Sequence, residues 1–196
     1  MRRPFSTDRL IIRDVVEADA ELMFELDSDP EVMRYIGPQL GTDASWYRDR
    51  IRTKFIPQQA HPWRGVRVVF NRTRGNYLGN VSIRPANESP EAQALGWNRS
   101  GDIEIGFRFC RSSWGRGIAT EAVSPLIEIA IADPSTTAIV AYADVSNVAS
   151  LRVLQKLGLE RIGEVLLPES SEPTIKLSRP NKDNGFEKDS FQPLYD

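Results

Sequence analysis

FRFCRSSWGRGIATE, the stretch from Phe107 to Glu121, joins a strand-like aromatic run to a helix through a turn with two glycines. The turn is Gly115-Arg116-Gly117, and the helix pattern opens directly after it. Such a turn leaves backbone N–H groups unpaired at a helix N-terminus, where the partial positive charge favours a phosphate or pyrophosphate. The stretch therefore predicts an anion site, although an ordinary strand-to-helix turn would also show the two glycines.

The composition is typical of one globular domain. The chain has 196 residues, 40% hydrophobic and 27% charged, which is enough to bury a substantial core. A formal net charge of -2 with scattered basic residues argues against nucleic acid or an anionic membrane as a partner. The single cysteine, Cys110, excludes an internal disulfide framework and a cysteine-based metal cluster. With no apolar stretch of membrane-spanning length and no signal-peptide core, the sequence predicts a cytoplasmic protein without a metal site.

The chain before the glycine turn mixes short strands and helices. The patterns predict a strand at Leu10–Arg13, helices at 17–29, 31–35 and 42–55, and a pair of antiparallel strands at 66–70 and 77–83. The polar segment 85–101 has no clear periodicity, and we expect it to form a mobile loop near the substrate entrance.

From Asp102 onward, strands and helices alternate. Strands are predicted at 102–109, 136–143 and 159–167, and helices at 119–130 and 147–157, with Pro125 expected to cause a local irregularity near 121–124. Residues 174–177 are predicted to add a last edge strand, followed by a loosely attached tail. This alternation predicts an α/β sheet that binds its ligand at the strand ends.

Several motifs together resemble the GNAT superfamily of acetyl-CoA-dependent N-acetyltransferases, within it the ribosomal-protein N-terminal (alanine/serine) acetyltransferase branch. The motifs are Thr7–Arg13, Asp29–Gly37, Leu78–Val81, Glu104–Phe107 with Trp114–Ala122, and Asn147–Leu159. The last two, linked in this order, are the most specific. The resemblance implies a single α/β domain over residues 1–179, with a mixed, strongly twisted central sheet flanked by helices on both faces. Its acceptor-side half would span about 1–101 and its acetyl-CoA-binding core about 102–167, followed by the tail 180–196.

The resemblance also implies where acetyl-CoA binds. In the family, the backbone amides of the turn cradle the pyrophosphate of coenzyme A, and the preceding strand lies beside the pantetheine arm. Trp114 occupies a position where the family commonly has Gln or Arg, which leaves the amide geometry intact but puts a side-chain contact in doubt. The implied cofactor-binding residues are Phe107, Phe109, Gly115, Arg116, Gly117, Ile118, Ala119, Thr120, Asn147 and Ser150.

Acetyl transfer to an amine needs a deprotonated acceptor and a departing thiolate. Glu104 matches the recurrent strand glutamate of the family and is the candidate base, directly or through a water; the alternative is a solvated or ion-paired strand residue. Many relatives supply the acid from a tyrosine seven residues after the helix asparagine, but that position is Leu154 here. The branch suggests Ser150 instead, while Asn147 would bind the coenzyme arm or a water, cap the helix, or both. Because thiols ionise near pKa 8.5, no dedicated acid is strictly required.

Other reactive or aromatic side chains receive weaker assignments. Cys110 is expected to be a small buried residue and not a nucleophile, because the only histidine, His61, lies in a predicted loop. His61 is read as a surface residue or as part of the acceptor-cleft wall. The aromatic residues that could line an acceptor cleft, or simply pack, are Tyr35, Trp46, Trp63 and Trp97.

The sequence favours one function and leaves two others open. The favoured function is transfer of an acetyl group from acetyl-CoA to a primary amine, a protein N-terminus or a small molecule, by direct attack through a tetrahedral intermediate. The protein would act as a monomer or a homodimer. The alternatives are a non-catalytic acyl-CoA-binding regulatory or sensing module and, more distantly, a dinucleotide-binding domain, which lacks its usual acidic residue here.

Overall fold

The computed structural model of the chain describes residues 4–37, 41–89, 99–166 and 172–181. Its strands are β1 (Phe5–Ser6), β2 (Leu10–Asp14), β3 (Gly65–Asn71), β4 (Tyr77–Pro85), β5 (Asp102–Phe109), β6 (Ala138–Asp144), β7 (Glu160–Val165) and β8 (Thr174–Pro180). Its α-helices are α1 (Ala20–Asp27), α2 (Pro30–Met33), α3 (Ala44–Arg50), α4 (Ile56–Gln58), α5 (Ile118–Ile131) and α6 (Val148–Lys156). Every strand and helix predicted from the sequence pattern has a counterpart here, and the α/β class is confirmed.

The strands form one mixed sheet in the order β1-β2-β3-β4-β5-β6-β8-β7. β5 and β6 are parallel, whereas β1 to β4 pair antiparallel in sequence order and β8 is antiparallel to both β6 and β7. The prediction that the last strand lies at the sheet edge is therefore wrong. β8 lies between two strands: all seven of its residues pair with β6, and Thr174–Ser178 also pair with β7.

Contacts divide the chain into two compact units, Met1–Arg84 with Gly106–Leu126, and Pro85–Ile105 with Ile127–Asp196. β5 and α5 contribute residues to both units. The division into an acceptor-side half and a coenzyme-binding half stays a prediction. The core of the first unit includes side chains from α1, α3 and β3. Its buried members are Val15, Ala20, Met23, Tyr47, Ile51, Phe55, Val66 and Val68.

The third predicted helix begins after a cap at Asp43, as its pattern predicts, but its later part is not α-helical. Asp43 caps α3, because its carboxylate accepts a hydrogen bond from the backbone N–H of Trp46 at 3.0 Å. After Arg50 the chain continues as a π-helical turn, Ile51–Phe55, and then as the short α4. Residues 44–55 are thus helical, within the predicted range 42–55, but they do not form one α-helix.

The second unit has an apolar sheet face with α6 packed on β6. Ile139, Leu177 and Leu154 are each at most 2% exposed. The folded chain continues past Arg179, where the predicted domain ends. Pro180 is the last residue of β8, and the buried Asn181 donates hydrogen bonds to two backbone carbonyl oxygens, both at 3.0 Å. Residues 182–196, most of the predicted tail, lie outside the described residues.

α5 is continuous through Pro125, where the sequence predicts an irregularity. An interior proline costs about 3 kcal/mol in a helix. The apolar face of α5 outweighs that cost, since burying one aliphatic side chain stabilises by about 1.5 to 3 kcal/mol. Its fully buried members are Ala122, Val123, Leu126, Ile127 and Ala130.

The segment after β4 begins with a 3₁₀ turn, Ala86–Glu88. Residues 90–98 lie outside the described residues, so the mobile loop expected over 85–101 stays a prediction.

Candidate active site

The glycine turn presents backbone N–H groups at the start of α5. Gly115 and Gly117 have φ angles of 68° and 74°, a left-handed conformation that costs other residues about 1 to 2 kcal/mol. The first hydrogen bond of α5 runs from the N–H of Glu121 to the carbonyl oxygen of Gly117 at 3.0 Å. The amides of the three preceding residues, 118–120, have no acceptor in the described part of the chain. This arrangement suits a bound anion.

A side-chain network holds the turn against the start of the chain. Arg9 donates to the carboxylate of Glu121 from Nε at 2.6 Å and to the carbonyl oxygen of Arg116 from Nη1 at 2.9 Å. The hydroxyl of Thr7 also donates to Glu121. Partial burial raises the pKa of Glu121, but the hydrogen bonds from Thr7 and Arg9 outweigh it, so the net pKa lies below the ordinary value. Arg9 therefore positions the backbone that would receive the anion.

Sequence reasoning missed this network. Thr7, Arg9 and Glu121 all lie within the motifs that carry the family resemblance, yet more than 100 positions separate Arg9 from Glu121. Nothing in the local pattern of either motif indicates that they pair.

The side chain of Trp114 makes a hydrogen bond within the protein. Its indole Nε1–H donates to the carbonyl oxygen of Phe109 at 2.7 Å, while the residue stays 48% exposed. The backbone N–H of Trp114 closes the short 3₁₀ turn that follows β5 by donating to Arg111 at 3.0 Å. Trp114 thus ties the turn to the end of the strand.

Phe107 and Phe109 lie at the end of β5, with ring centroids 6.3 Å apart. Phe109 is buried and Phe107 is half-buried. β4 approaches this end of β5 closely, since a Cβ atom on Gly79 would lie 2.2 Å from the carbonyl oxygen of Arg108. Gly79 is therefore required for the two backbones to meet.

Glu104 lies in the second unit and is 9% exposed, so it is not the solvated residue that the sequence left open. It is in register with Val140 of β6. The same face of the sheet carries Asp102 and Lys176, both buried, and burial raises the pKa of Asp102 and lowers that of Lys176. The hydroxyl of Thr137 donates to Asp102 at 2.9 Å. Glu104 thus belongs to a buried polar layer.

Asn147 and Ser150 are joined directly. The side-chain oxygen of Asn147 accepts a hydrogen bond from the backbone N–H of Ser150 at 3.1 Å, which confirms the helix-cap role. Within the described residues, the side-chain NH₂ of Asn147 and the hydroxyl of Ser150 have no partner, so both are available to a ligand. Leu154, at the usual tyrosine position, is 2% exposed and packs in the core.

The remaining reactive and aromatic residues have packing roles or lie apart. Cys110 is half-buried, not fully buried as expected, and burial raises the pKa of its thiol, which does not favour a nucleophile. The ring of His61 packs edge-on against the ring of Trp63, with centroids 4.6 Å apart. Because Trp63 is 3% exposed, Trp63 cannot line an open acceptor cleft. Tyr35 is 36% exposed, and Trp97 lies outside the described residues.

Two wider features bear on the class of protein. Among the described residues, no three His, Cys, Asp or Glu side chains come together in a way that could hold a metal ion. Over the same residues, each helix is too short or too polar to span a membrane.

A family model described as acetyltransferase (GNAT) domain matches residues 9–160. A curated relative, the uncharacterized N-acetyltransferase p20 of Bacillus licheniformis, is 27% identical over 161 residues, which cover 80% of this chain and 82% of the relative.

Two solved structures with bound coenzyme A have similar folds. The aminoglycoside acetyltransferase AAC(6')-Ib has a TM-score of 0.67 at 19% identity, covering 88% of this chain and 95% of its own. The ribosomal L7/L12 alpha-N-protein acetyltransferase RimL has a TM-score of 0.70 at 16% identity, and the match covers 89% of this chain and 95% of RimL.

Proposed function

The chain belongs to the GNAT acetyltransferase family and is an acetyl-CoA-dependent N-acetyltransferase, and we propose that its acceptor is a primary amine, either a protein N-terminal α-amine or a small amine. The proposal includes a cytoplasmic enzyme that acts as a monomer or homodimer, with its catalytic domain over residues 1–179. Its use of acetyl-CoA is supported by the start of α5, where three successive amides with no acceptor among the described residues follow two left-handed glycines.

These amides would bind the pyrophosphate of acetyl-CoA. The N–H groups of Ile118, Ala119 and Thr120 supply donors and the positive end of the helix, and the turn Gly115–Gly117 brings the backbone close to the anion. Arg116 adds an exposed positive charge and donates to the carbonyl oxygen of Ser112 at 3.3 Å. Backbone groups therefore carry the recognition, and the side chains support it.

The rest of the donor would lie along β5 and the start of α6. Phe107 and Phe109 supply apolar surface for the pantetheine arm. The side-chain NH₂ of Asn147 supports a role as a donor to the arm or to a water, because its oxygen is already engaged in the helix cap. The helix-cap and ligand-binding roles of Asn147 are thus compatible.

Glu104 is the proposed base for the acceptor. An α-amino group has a pKa of about 8, so a fraction is already deprotonated near neutral pH and the base has less to do than with an alkylammonium of pKa about 10.4. The neutral amine attacks the thioester carbonyl carbon, Glu104 accepts the proton that the attacking nitrogen loses, and the tetrahedral intermediate collapses as its C–S bond breaks and the coenzyme A thiolate leaves. Glu104 would accept the proton directly or through a water.

The leaving thiolate has two possible routes. Ser150 could protonate it, since its hydroxyl has no partner within the described residues. Departure without an acid is also feasible, because thiols ionise near pKa 8.5. Leu154 excludes the tyrosine route.

The acceptor is tested by mass spectrometry. The protein is incubated with acetyl-CoA and a library of peptides and metabolites, and acetylated products are identified against a control without protein. We expect products whose acetyl group sits on a primary amine. Tight coenzyme binding with no acetylated amine anywhere in a broad library would count against the proposal.

A further inference from the structure

β7 forms one edge of the sheet. The strand order ends β6-β8-β7, so Glu160–Val165 pairs with β8 on one side only. On its other side, no backbone hydrogen bond joins β7 to any residue that the structure describes. An edge strand carries a row of backbone N–H and C=O groups that can pair with a strand of another chain. β7 therefore offers a surface on which a further strand could dock.

An irregularity in β7 brings two opposite charges to the same face of the sheet. Arg161 is opposite Leu177 of β8 and Glu164 is opposite Ile175, two positions away on the same face of β8. The pairing register shifts between Arg161 and Gly163. Without this shift, residues three positions apart on a strand would lie on opposite faces. Arg161 and Glu164 form an ion pair with each other, yet their side chains stay 56% and 51% exposed.

In one antiparallel register, the charges on β7 complement those of a second β7. A two-fold axis perpendicular to the sheet, between Ile162 and Gly163, keeps every side chain on its own face. The same axis puts Arg161 of each copy opposite Glu164 of the other. Opposite charges directly across antiparallel strands stabilise the pairing. Two such contacts form, one on either side of the axis, and they join the two ion pairs within the copies into a network of four charges.

Other registers bring like charges together. An axis through Arg161 would place two arginines opposite each other, and an axis through Glu164 would place two glutamates opposite each other, which destabilises the pairing. Charged side chains on an edge strand commonly prevent edge-to-edge association for this reason. On β7 they oppose the like-charge registers but favour the complementary one, in which Glu160 meets Val165 on the other face. The charges therefore select one register and one kind of partner.

We propose that β7 is a dimerisation strand whose partner is β7 of a second copy of this chain, paired antiparallel with Arg161 opposite Glu164. Each copy has one β7 and uses it in the contact, so the two-fold assembly is closed and stops at a dimer. The inference goes beyond the proposed function, because it selects the homodimer over the monomer and names the surface. It does not depend on acetyl transfer.

Sedimentation equilibrium of the full chain over micromolar concentrations tests the dimer. We expect the wild type to show a reversible equilibrium between monomer and dimer. Arg161→Glu leaves two glutamates on the paired face and Glu164→Arg leaves two arginines, so each variant brings like charges together between the copies. We expect each variant to raise the dimer Kd about 10-fold or more. A wild type that stays monomeric, or single variants that dimerise as tightly as the wild type, would overturn the inference.

Mixing the two variants separates pairing between copies from the ion pair within one copy. Both variants lose the ion pair within the copy, whereas a dimer of one Arg161→Glu chain and one Glu164→Arg chain has complementary charges again. Arg161→Glu protein with a fluorophore on its N-terminus is titrated with Glu164→Arg protein, and binding is followed by fluorescence anisotropy. We expect the mixed dimer to have a Kd about 10-fold or more below that of either variant with itself. A mixed dimer no tighter than the two like-charged ones would contradict the inference.

Arg52→Glu and Asp49→Arg form the matched control pair. Arg52 and Asp49 are also an exposed ion pair of residues three positions apart, at 2.6 Å, but they do not belong to β7. We expect each control variant to dimerise like the wild type, and their mixture to show no preference for the mixed dimer. Circular dichroism checks that all four variants are folded. If the control mixture preferred the mixed dimer as strongly as the β7 mixture, general attraction between opposite charges would explain both results and the inference would fail.

Discussion

Glu104 and Arg9 serve different parts of the proposed site. Glu104, the proposed base, is buried on β5. Arg9 supports the glycine turn, because it contacts both Glu121 and the carbonyl oxygen of Arg116. A pairing across more than 100 residues depends on the folded chain, so no pattern within either motif could predict it.

Replacing Glu104 by Gln tests the base assignment. Loss of a general base typically lowers a rate by a factor of about 100 to 10,000, so we expect kcat to fall at least 100-fold with KM for acetyl-CoA unchanged. Steady-state kinetics measure this, with Glu128→Gln as the control, since Glu128 is exposed and pairs with Arg179 at 3.0 Å. Unchanged turnover in Glu104→Gln would remove the base assignment.

Replacing Arg9 by Gln tests its role in positioning the turn. Without the hydrogen bond from Arg9 to Arg116, the backbone around Gly117 loses a support, and we expect KM for acetyl-CoA to rise about 3- to 10-fold, with a smaller change in kcat. Arg72→Gln is the control, because Arg72 donates to the carbonyl oxygen of Thr7 at 3.1 Å in the same region without touching the turn. Equal effects of the two variants would show that Arg9 acts on general stability alone.

The carboxylate of Glu121 predicts a pH dependence of stability. Its pKa in the folded protein lies below the ordinary value, so it stabilises the fold above the unfolded-state pKa, and this contribution is lost as the pH falls through the folded pKa. We expect the wild type to have a higher Tm than Glu121→Gln at neutral pH, and the difference to shrink as the pH falls below the ordinary glutamate pKa of about 4.3. A difference in Tm that stays constant down to strongly acidic pH would contradict this role.

At the scale of elements, local pattern predicted the existence and type of helices and strands better than their connections. Tyr47, Ile51 and Phe55 recur every four residues, which indicates a helix but does not distinguish an α-helix from the π-helical turn at Ile51–Phe55. The sequence predicts β8 as an edge strand, whereas it lies between β6 and β7. Strand order depends on pairing between distant segments, and the side-chain pattern of one strand does not encode that pairing. The glycine turn was predicted well, because its conformation is set by the residues within it.

The glycine turn permits a matched comparison of two left-handed glycines. Gly115 and Gly75 have φ angles of 68° and 70°, and a Cβ atom on either would meet no other atom within 4 Å. We therefore expect Gly115→Ala and Gly75→Ala to destabilise the protein similarly, by about 1 to 2 kcal/mol. Only Gly115→Ala should raise KM for acetyl-CoA, because Gly75 lies in the hairpin between β3 and β4. Chemical denaturation and steady-state kinetics measure the two effects, and equal KM values would contradict the coenzyme role of the turn.

At the scale of the whole molecule, family and fold could be predicted from two linked motifs, whereas the acceptor could not. The motifs at Trp114–Ala122 and Asn147–Leu159 concern the donor, and the structure gives each a local physical basis in unpaired amides and a capped helix. The residues before Asp102, where the acceptor would bind, carry no motif that decides between a protein N-terminus and a small amine.

The most direct test of acetyl transfer is a mass-spectrometric assay with acetyl-CoA labelled with ¹³C in its acetyl group. The protein is mixed with labelled acetyl-CoA and the peptide and amine library, and Glu104→Gln and protein-free samples are run in parallel. We expect labelled acetyl groups on primary amines in the wild-type sample, with at least 100-fold slower formation in Glu104→Gln. The result that would contradict it is protein that binds coenzyme A yet labels no amine above the protein-free sample.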